Sequence, residues 1–154
     1  MSIEKVREYF KGFGIEDKIL EFDVSSATVA LAAQALGCAE QRIAKTLSLL
    51  VDEKAVLIVC AGDVKIDNPK FKAQFHTKAK MIPFASVEEY LGHPPGGVCP
   101  FALKEGVKVY LDVSLRAHET VFPAAGSENS AVETTVDQLE RLTSFEEWVD
   151  VCKK

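Results

Sequence analysis

The chain has 154 residues, of which 47% are apolar, and its 18 Lys and Arg against 23 Asp and Glu give a formal net charge of -5. A chain of this length can remove roughly 70% of its unfolded surface from water, so it needs no disulfide or metal to stabilise one globular domain. The acidic balance argues against a protein that coats nucleic acid, because such proteins neutralise phosphates with Lys and Arg. We therefore predict a single domain over residues 1–154 that meets any nucleic-acid partner through a local surface.

The N-terminal third predicts two helices separated by a strand. Apolar residues at helical spacing predict an amphipathic helix over residues 3–11, and residues 18–22 predict a short strand. A second helix over residues 29–36 can be capped by Ser25, Ser26 or Thr28 and ended by Gly37. Because almost all of its residues are apolar, we expect this helix to be buried on most faces.

The centre of the chain predicts the core of a sheet. A helical turn at residues 40–44 leads into a strand at residues 46–51, and a polar break joins it to a second strand at residues 55–60. The second strand is a continuous apolar run, as expected of a central strand that is covered on both faces.

Further elements alternate along the rest of the chain. Helices are predicted at 67–75, 86–91, 137–142 and 144–151, and strands at 81–84, 107–111, 120–124 and 131–136. We expect Ser86 to cap the second of these helices and Trp148 to be buried by the last. Strands mixed with helices and partly joined by hairpins predict an α+β or mixed α/β domain.

Residues 92–100 contain three Gly and three Pro in nine positions, a composition typical of a stiff loop without regular structure. The paired glycines Gly96 and Gly97 let backbone N–H groups approach a ligand closely, and such donors can hold an ester carbonyl or a ribose hydroxyl. A stiff turn that binds nothing is the alternative, because turns use the same residues.

Lys45 is a long cation at the rim of the predicted sheet, where the helical turn meets the strand. It can reach a cleft from there, or it can extend to solvent, as surface lysines commonly do. Local charge offers a second candidate, because residues 64–80 carry five Lys against Asp67 alone. This segment suits a short stretch of phosphates or is an ordinary solvated helix face.

Histidine and cysteine positions do not indicate a metal site. His76, His93 and His118 show no zinc-binding spacing and have no cysteine near them at ligand spacing, so we expect no metal and no cofactor. We expect His93 to be a solvated loop residue and Cys99 to be a packed thiol rather than a nucleophile. Four widely spaced cysteines, and the absence of a signal-like or membrane-spanning apolar run, predict a reduced cytoplasmic protein without membrane contact.

Four blocks of sequence, at residues 28–37, 41–47, 61–63 and 96–101, resemble the YbaK/EbsC family of prolyl-tRNA-synthetase-associated editing domains. The resemblance implies a mixed α/β fold with a barrel-like, largely antiparallel sheet and surrounding helices. It also implies hydrolysis, in trans, of the ester in mischarged tRNA, with tRNA-Pro as the expected tRNA. The implied partners are the aminoacylated 3′ end of tRNA and prolyl-tRNA synthetase.

The same resemblance implies the site residues. Lys45 matches the invariant lysine of the family, and Gly96 and Pro100 match the ends of its GxxxP loop, so Lys45 and Gly96 are the expected catalytic residues. Three groups of residues are expected to bind the substrate. Thr46 lines the pocket, and Phe22 and Thr28 flank the amino-acid side chain. The rest of the loop completes the set, namely Gly97, Val98, Cys99 and Pro100.

The implied mechanism is metal-free and substrate-assisted, so the protein would supply no nucleophile. The segment at residues 124–126 is Ala-Ala-Gly where Cys-specific relatives have Ser-Ala-Gly. Cys, Ala, Ser and Thr therefore all stay open as the amino acid that is removed. The alternative function is a non-catalytic module that binds an aminoacyl-adenosine or a synthetase, and a plain interaction domain comes third.

Overall fold

The computed structural model describes residues 2–154, and its elements alternate along the chain. The helices are α1 (Ser2–Lys11), α2 (Val29–Leu36), α3 (Asn68–Phe75), α4 (Val87–Leu91) and α5 (Val136–Thr143). The strands are β1 (Ile19–Glu21), β2 (Ile43–Val51), β3 (Lys54–Ala61), β4 (Lys65–Ile66), β5 (Lys108–Asp112), β6 (Thr120–Pro123), β7 (Ser130–Val132), β8 (Thr134–Thr135), β9 (Glu147–Val149) and β10 (Cys152–Lys153). None of the helices within residues 2–154 has the length and apolarity that crossing a bilayer requires.

A curled six-stranded sheet of order β8-β6-β2-β3-β5-β9 forms the centre of the fold. Two separate two-stranded sheets consist of β1 with β7 and of β4 with β10. Among the described residues four strand pairings are antiparallel and three are parallel. The predicted mixed α/β class is confirmed.

The hairpin of β2 and β3 is the longest pairing, with eight residue pairs from Ala44 opposite Ala61 to Val51 opposite Lys54. Asp52 and Glu53 both have positive φ, 51° and 66°, which is the backbone that a two-residue hairpin turn requires. Every residue of β3 after Lys54 is buried, so the predicted central strand is confirmed.

Each face of the sheet packs against its own set of helices. Leu57 and Val59 of β3 lie in one core cluster with the apolar residues of α1, α4 and α5. Ile58 and Cys60 point to the opposite face and pack with Phe71 of α3. This alternation places α1 and α3 on opposite sides of β3.

The predicted helix at residues 144–151 is wrong. Glu147–Val149 instead form β9, which pairs in parallel with β5 so that Trp148 lies opposite Leu111. Trp148 is half-buried and packs edge-on to Phe145 at 6.0 Å between ring centroids. The open edge of β5 pairs with this segment, and that non-local pairing outweighs the local helical pattern.

The burial predicted for α2 is also wrong. Only Ala32 and Ala33 are buried, and Leu31 is 40% exposed, because α2 lies beside the sheet and contacts it through Ile43 and Phe122. The bounds of α2 are as predicted, with Leu31 N donating to Thr28 Oγ1 and Gly37 in the left-handed region.

Five smaller predictions need correction. The expected strand at 81–84 is a single bridge from Met81 to Leu49, and Ser86 makes no side-chain cap. The segment 131–136 divides into β7, β8 and the start of α5, because β7 pairs with β1 whereas β8 pairs with β6. Residues 95–97 form one 3₁₀ turn inside the loop that was expected to be irregular, and β2 begins at Ile43, so the strand already includes Lys45.

Candidate active site

A cavity of about 140 Å³ opens between the start of α2, the start of β2, the 95–98 turn and strands β6 and β7. Five of the predicted site residues line it, namely Thr28, Lys45, Thr46, Gly96 and Val98. Lys45 is the one ionisable side chain among the described residues of the wall. The predicted residues Phe22, Gly97, Cys99 and Pro100 do not line this cavity.

Lys45 is half-buried, and its Nζ donates to the carbonyl oxygens of Gly62, at 3.4 Å, and Val64. An ammonium has three N–H donors, so one donor is left after these two bonds. No carboxylate within residues 2–154 forms an ion pair with Lys45. The cavity therefore has a positive charge that backbone carbonyls orient and no acid neutralises.

The turn whose carbonyl oxygens accept from Lys45 requires a glycine at position 62. A Cβ at this position would overlap the carbonyl oxygen of Glu40 and lie 2.8 Å from Cγ1 of Val29. Any larger residue would therefore push the turn away from α2. The glycine lets the turn approach closely and so fixes the acceptors of Lys45 relative to the cavity.

The turn at residues 95–97 is held from behind by a second close backbone contact. Gly97 N donates to the Pro94 carbonyl at 2.9 Å. A Cβ on Gly97 would lie 2.6 Å from the carbonyl oxygen of Gly126 and 3.0 Å from the backbone nitrogen of Ser127. The role of Gly97 in the structure is thus to dock the loop on the 126–127 turn, while Gly96 faces the cavity.

His93 and Cys99 belong to the loop at residues 92–100, and both are fully buried. His93 is fully buried, so the expectation of a solvated histidine is wrong, and its Nε2 lies 2.6 Å from the Phe101 carbonyl. Because a carbonyl only accepts, Nε2 carries the proton in this bond. Burial lowers the pKa of His93, which favours the neutral ring. Burial also raises the pKa of Cys99 to about 12, so its thiol stays protonated and is not a nucleophile.

Three of the four hydroxyl residues of the wall differ in their hydrogen bonds. Thr28 Oγ1 accepts from Leu31 N at 3.1 Å as the cap of α2. Ser130 Oγ lies 2.6 Å from Ser127 Oγ. Thr46 Oγ1 is buried and has no hydrogen-bond partner among the described residues. An unpaired buried hydroxyl costs about 1–3 kcal/mol, so a ligand group that reached Thr46 Oγ1 would gain a hydrogen bond.

Sequence reasoning missed Ser130 and Ala131, because they reach the wall only through the pairing of β7 with β1 and a bridge to Ala124. A strand pattern at 130–132 was readable, but its place beside β6 was not. No group of three or more His, Cys, Asp or Glu side chains within residues 2–154 has an arrangement that could hold a metal ion.

Comparisons with known proteins find relatives along most of the chain. The family of aminoacyl-tRNA editing domains matches residues 24–142. The uncharacterized protein YwhH of Bacillus subtilis (strain 168) is 47% identical over 154 residues, which cover 99% of this chain and 98% of that protein.

Two solved structures share the fold over nearly their whole length. A candidate trans-editing enzyme for prolyl-tRNA synthetase superposes with a TM-score of 0.88 at 25% identity, covering 99% of this chain and 98% of that chain. The hypothetical protein APE2540 superposes with a TM-score of 0.85 at 29% identity, covering 97% and 99%. The resemblance predicted from four sequence blocks is confirmed, and the chain belongs to the family of aminoacyl-tRNA editing domains.

Proposed function

We propose that the protein is an aminoacyl-tRNA deacylase that hydrolyses the ester of mischarged tRNA in trans, in the cytoplasm. The observation that carries this proposal is the uncompensated charge of Lys45 at a cavity that is also lined by Gly96 of the loop. Membership of the editing-domain family and the likeness to a candidate trans-editing enzyme for prolyl-tRNA synthetase support it. We propose tRNA-Pro as the tRNA and prolyl-tRNA synthetase as a partner on the same grounds.

Lys45 and the loop act on the charge that develops during hydrolysis. Water adds to the ester carbonyl carbon, and negative charge grows on the carbonyl oxygen. The remaining N–H of Lys45 and the backbone N–H groups of Gly96 and Val98 are the donors that stabilise this oxygen. Because these donors are held before the substrate arrives, little reorganisation opposes the reaction.

The substrate must supply the group that transfers a proton from the attacking water to the leaving oxygen. Lys45 is the only ionisable side chain among the described wall residues, and it serves as a donor to two carbonyls rather than as a base. A ribose hydroxyl beside the ester can take the proton from water and pass it to the leaving ribose oxygen as the ester C–O bond breaks. The products are the free amino acid and uncharged tRNA.

The cavity favours a small, uncharged amino-acid side chain. Its volume is about 140 Å³, and its wall includes Ala27, Ala32, Ala124 and Ala131. No acid among the described residues lines it to bind a basic side chain. We therefore propose that Cys, Ala, Ser or Thr is the amino acid removed, and that bulky residues are excluded by size.

Thr46→Val should separate stability from activity. Valine replaces the unpaired buried hydroxyl with a methyl group of similar shape, so the free energy of unfolding should stay equal or rise by about 1 kcal/mol. The Michaelis constant for the aminoacyl-tRNA should rise about tenfold, because a charge-neutral hydrogen bond to the substrate is lost. Urea unfolding and deacylation kinetics measure the two effects, and Thr46→Ser should retain activity. A destabilised Thr46→Val with unchanged kinetics would show that the hydroxyl serves the fold instead.

A second candidate function is a module that binds an aminoacyl-adenosine or a synthetase without turnover. The two carbonyls that already accept from Lys45 Nζ favour it, because the same bonds would serve a purely structural lysine. Tight binding of a non-hydrolysable aminoacyl-adenosine, with no turnover of the ester, is the expected result for this candidate.

A panel of mischarged tRNAs tests the proposal. Release of free amino acid is followed for tRNA-Pro charged with Cys, Ala, Ser, Thr or Pro. At least one of the first four should be hydrolysed well above the spontaneous rate, and Pro-tRNA should be spared. No hydrolysis of any of the four would remove the enzyme proposal.

A further inference from the structure

The C-terminal strand brings like charges together on an exposed surface. Strand β10 pairs with β4 so that Lys153 lies directly opposite Lys65. Both side chains are exposed, and like charges directly across a strand pair are destabilising. The sequence predicted lysines only at residues 64–80, and the fold adds Lys153 to them.

Most lysines of this region form no ion pair. Lys70 pairs with Asp150 at 3.0 Å, and Lys154 lies 3.9 Å from Asp63. The other five are all exposed and form no ion pair among the described residues. We call these five the lysine surface, which consists of Lys65, Lys72, Lys78, Lys80 and Lys153.

The lysine surface begins next to the residue that holds Lys45. Val64, whose carbonyl accepts from Lys45 Nζ, directly precedes Lys65. Phe71 is fully buried, and Phe75 packs edge-on to Tyr110 with 5.0 Å between ring centroids, so these two aromatic residues hold α3 on the sheet. Lys72 on the same helix is exposed to solvent.

The far end of the surface is fixed along β2. The Lys80 carbonyl accepts from Leu50 N at 2.8 Å. Residues 45 and 50 lie five positions apart on β2, which is about 17 Å at the usual rise of a strand. A stacked nucleic-acid strand advances about 3.4 Å per nucleotide, so this length corresponds to about five nucleotides.

We propose that the lysine surface binds the phosphates of the tRNA 3′ strand, whose aminoacylated end enters the cavity beside Lys45. The inference rests on the proposed function and adds the path of the tRNA to it. Bound phosphates neutralise the Lys65 and Lys153 pair, which accounts for a like-charge pair that forms no ion pair with an acid of the described residues. Two acids border this surface, because Asp150 pairs with Lys70 and Glu147 accepts from Gln74 of α3, and neither forms an ion pair with one of the five lysines among the described residues.

The test compares a double variant, Lys65→Ala with Lys153→Ala, on two substrates. One is full-length mischarged tRNA, and the other is a 3′-aminoacyl-adenosine, which lacks the phosphates. The Michaelis constant for the tRNA should rise about tenfold at ~0.1 M salt, and the salt dependence of log(kcat/KM) should fall by about two. Hydrolysis of the aminoacyl-adenosine should be unchanged.

A double variant of Lys11 and Lys18 to Ala is the matched control, because it removes two exposed lysines from the region of α1, which packs on the opposite face of the sheet from α3. The inference is overturned if the control changes the tRNA constants as much, or if the Lys65 and Lys153 variant loses equal activity on both substrates. If the wild-type protein hydrolyses neither substrate, the proposed function fails by itself. In that case a direct measurement of tRNA binding tests the lysine surface. The Lys65 and Lys153 variant must bind tRNA about tenfold more weakly than wild type, and the control must not.

Discussion

Lys45→Ala should lower kcat/KM for deacylation by about 10²–10³-fold, which is the usual effect of removing one donor to a developing oxyanion. The reason is that Lys45 carries the only charge among the described residues of the cavity wall. Its loss also frees two carbonyls, at Gly62 and Val64, and should cost about 1–2 kcal/mol of stability. That is less than the 5–15 kcal/mol that stabilises a typical domain, so the variant should remain folded.

Deacylation rates and thermal unfolding of the Lys45→Ala variant give the two readouts. Lys108→Ala removes an exposed lysine at the start of β5 and serves as the control for charge alone. Lys45→Met keeps the aliphatic chain and should be as inactive as the alanine variant. Wild-type activity in either Lys45 variant would remove this residue from the mechanism.

Gly97→Ala should damage both stability and activity. The added Cβ would lie 2.6 Å from the Gly126 carbonyl oxygen, so two backbone turns must move apart. Overpacking of this kind typically costs about 1–3 kcal/mol. Because the displaced turn includes Gly96, the donors facing the ester shift, and a displacement of about 1 Å can cost roughly 10²-fold in rate.

Gly96→Ala is the matched control for this contact. Its Cβ would lie 3.3 Å from the Glu128 Cβ, so the neighbouring segment has to move by only a few tenths of an ångström. Urea unfolding should therefore separate the two variants, with Gly96→Ala close to wild type and Gly97→Ala clearly less stable. Equal stability of the two would show that the loop does not depend on its contact with the 126–127 turn.

Elements that are specified by their own residues could be predicted from the sequence, whereas elements that depend on distant pairing could not. The bounds of α2 follow from its own ends, because Thr28 caps it and Gly37 adopts the left-handed conformation that stops it. Strand β9 depends on pairing with β5, a segment about 40 residues earlier, and nothing within residues 144–151 specifies that pairing. The exposure of α2 was missed for the same reason, since an apolar sequence does not reveal which faces have a neighbour.

The residues of the candidate site likewise fall into those that the sequence predicts and those that only non-local strand pairing brings together. Lys45, Thr46 and Gly96 were predicted from the family resemblance, and the fold places them around one cavity, while their chemical roles stay predictions. Ser130 and Lys153 were not predicted as parts of the site or its approach, because each arrives through a short non-local strand pair. The net charge of -5 is likewise correct for the chain and gives no sign of the lysine surface beside the cavity.

The most direct test of the central claim is the initial rate of amino-acid release from mischarged tRNA-Pro, measured side by side for wild type and Lys45→Ala prepared in the same way. The two preparations share any contaminating hydrolase, so only the difference between them reports on this site. We expect wild type to deacylate at least one of Cys-, Ala-, Ser- and Thr-tRNA-Pro about 10²–10³-fold faster than Lys45→Ala. Equal rates for the two proteins on all four substrates would contradict the assignment of this cavity as a deacylase site.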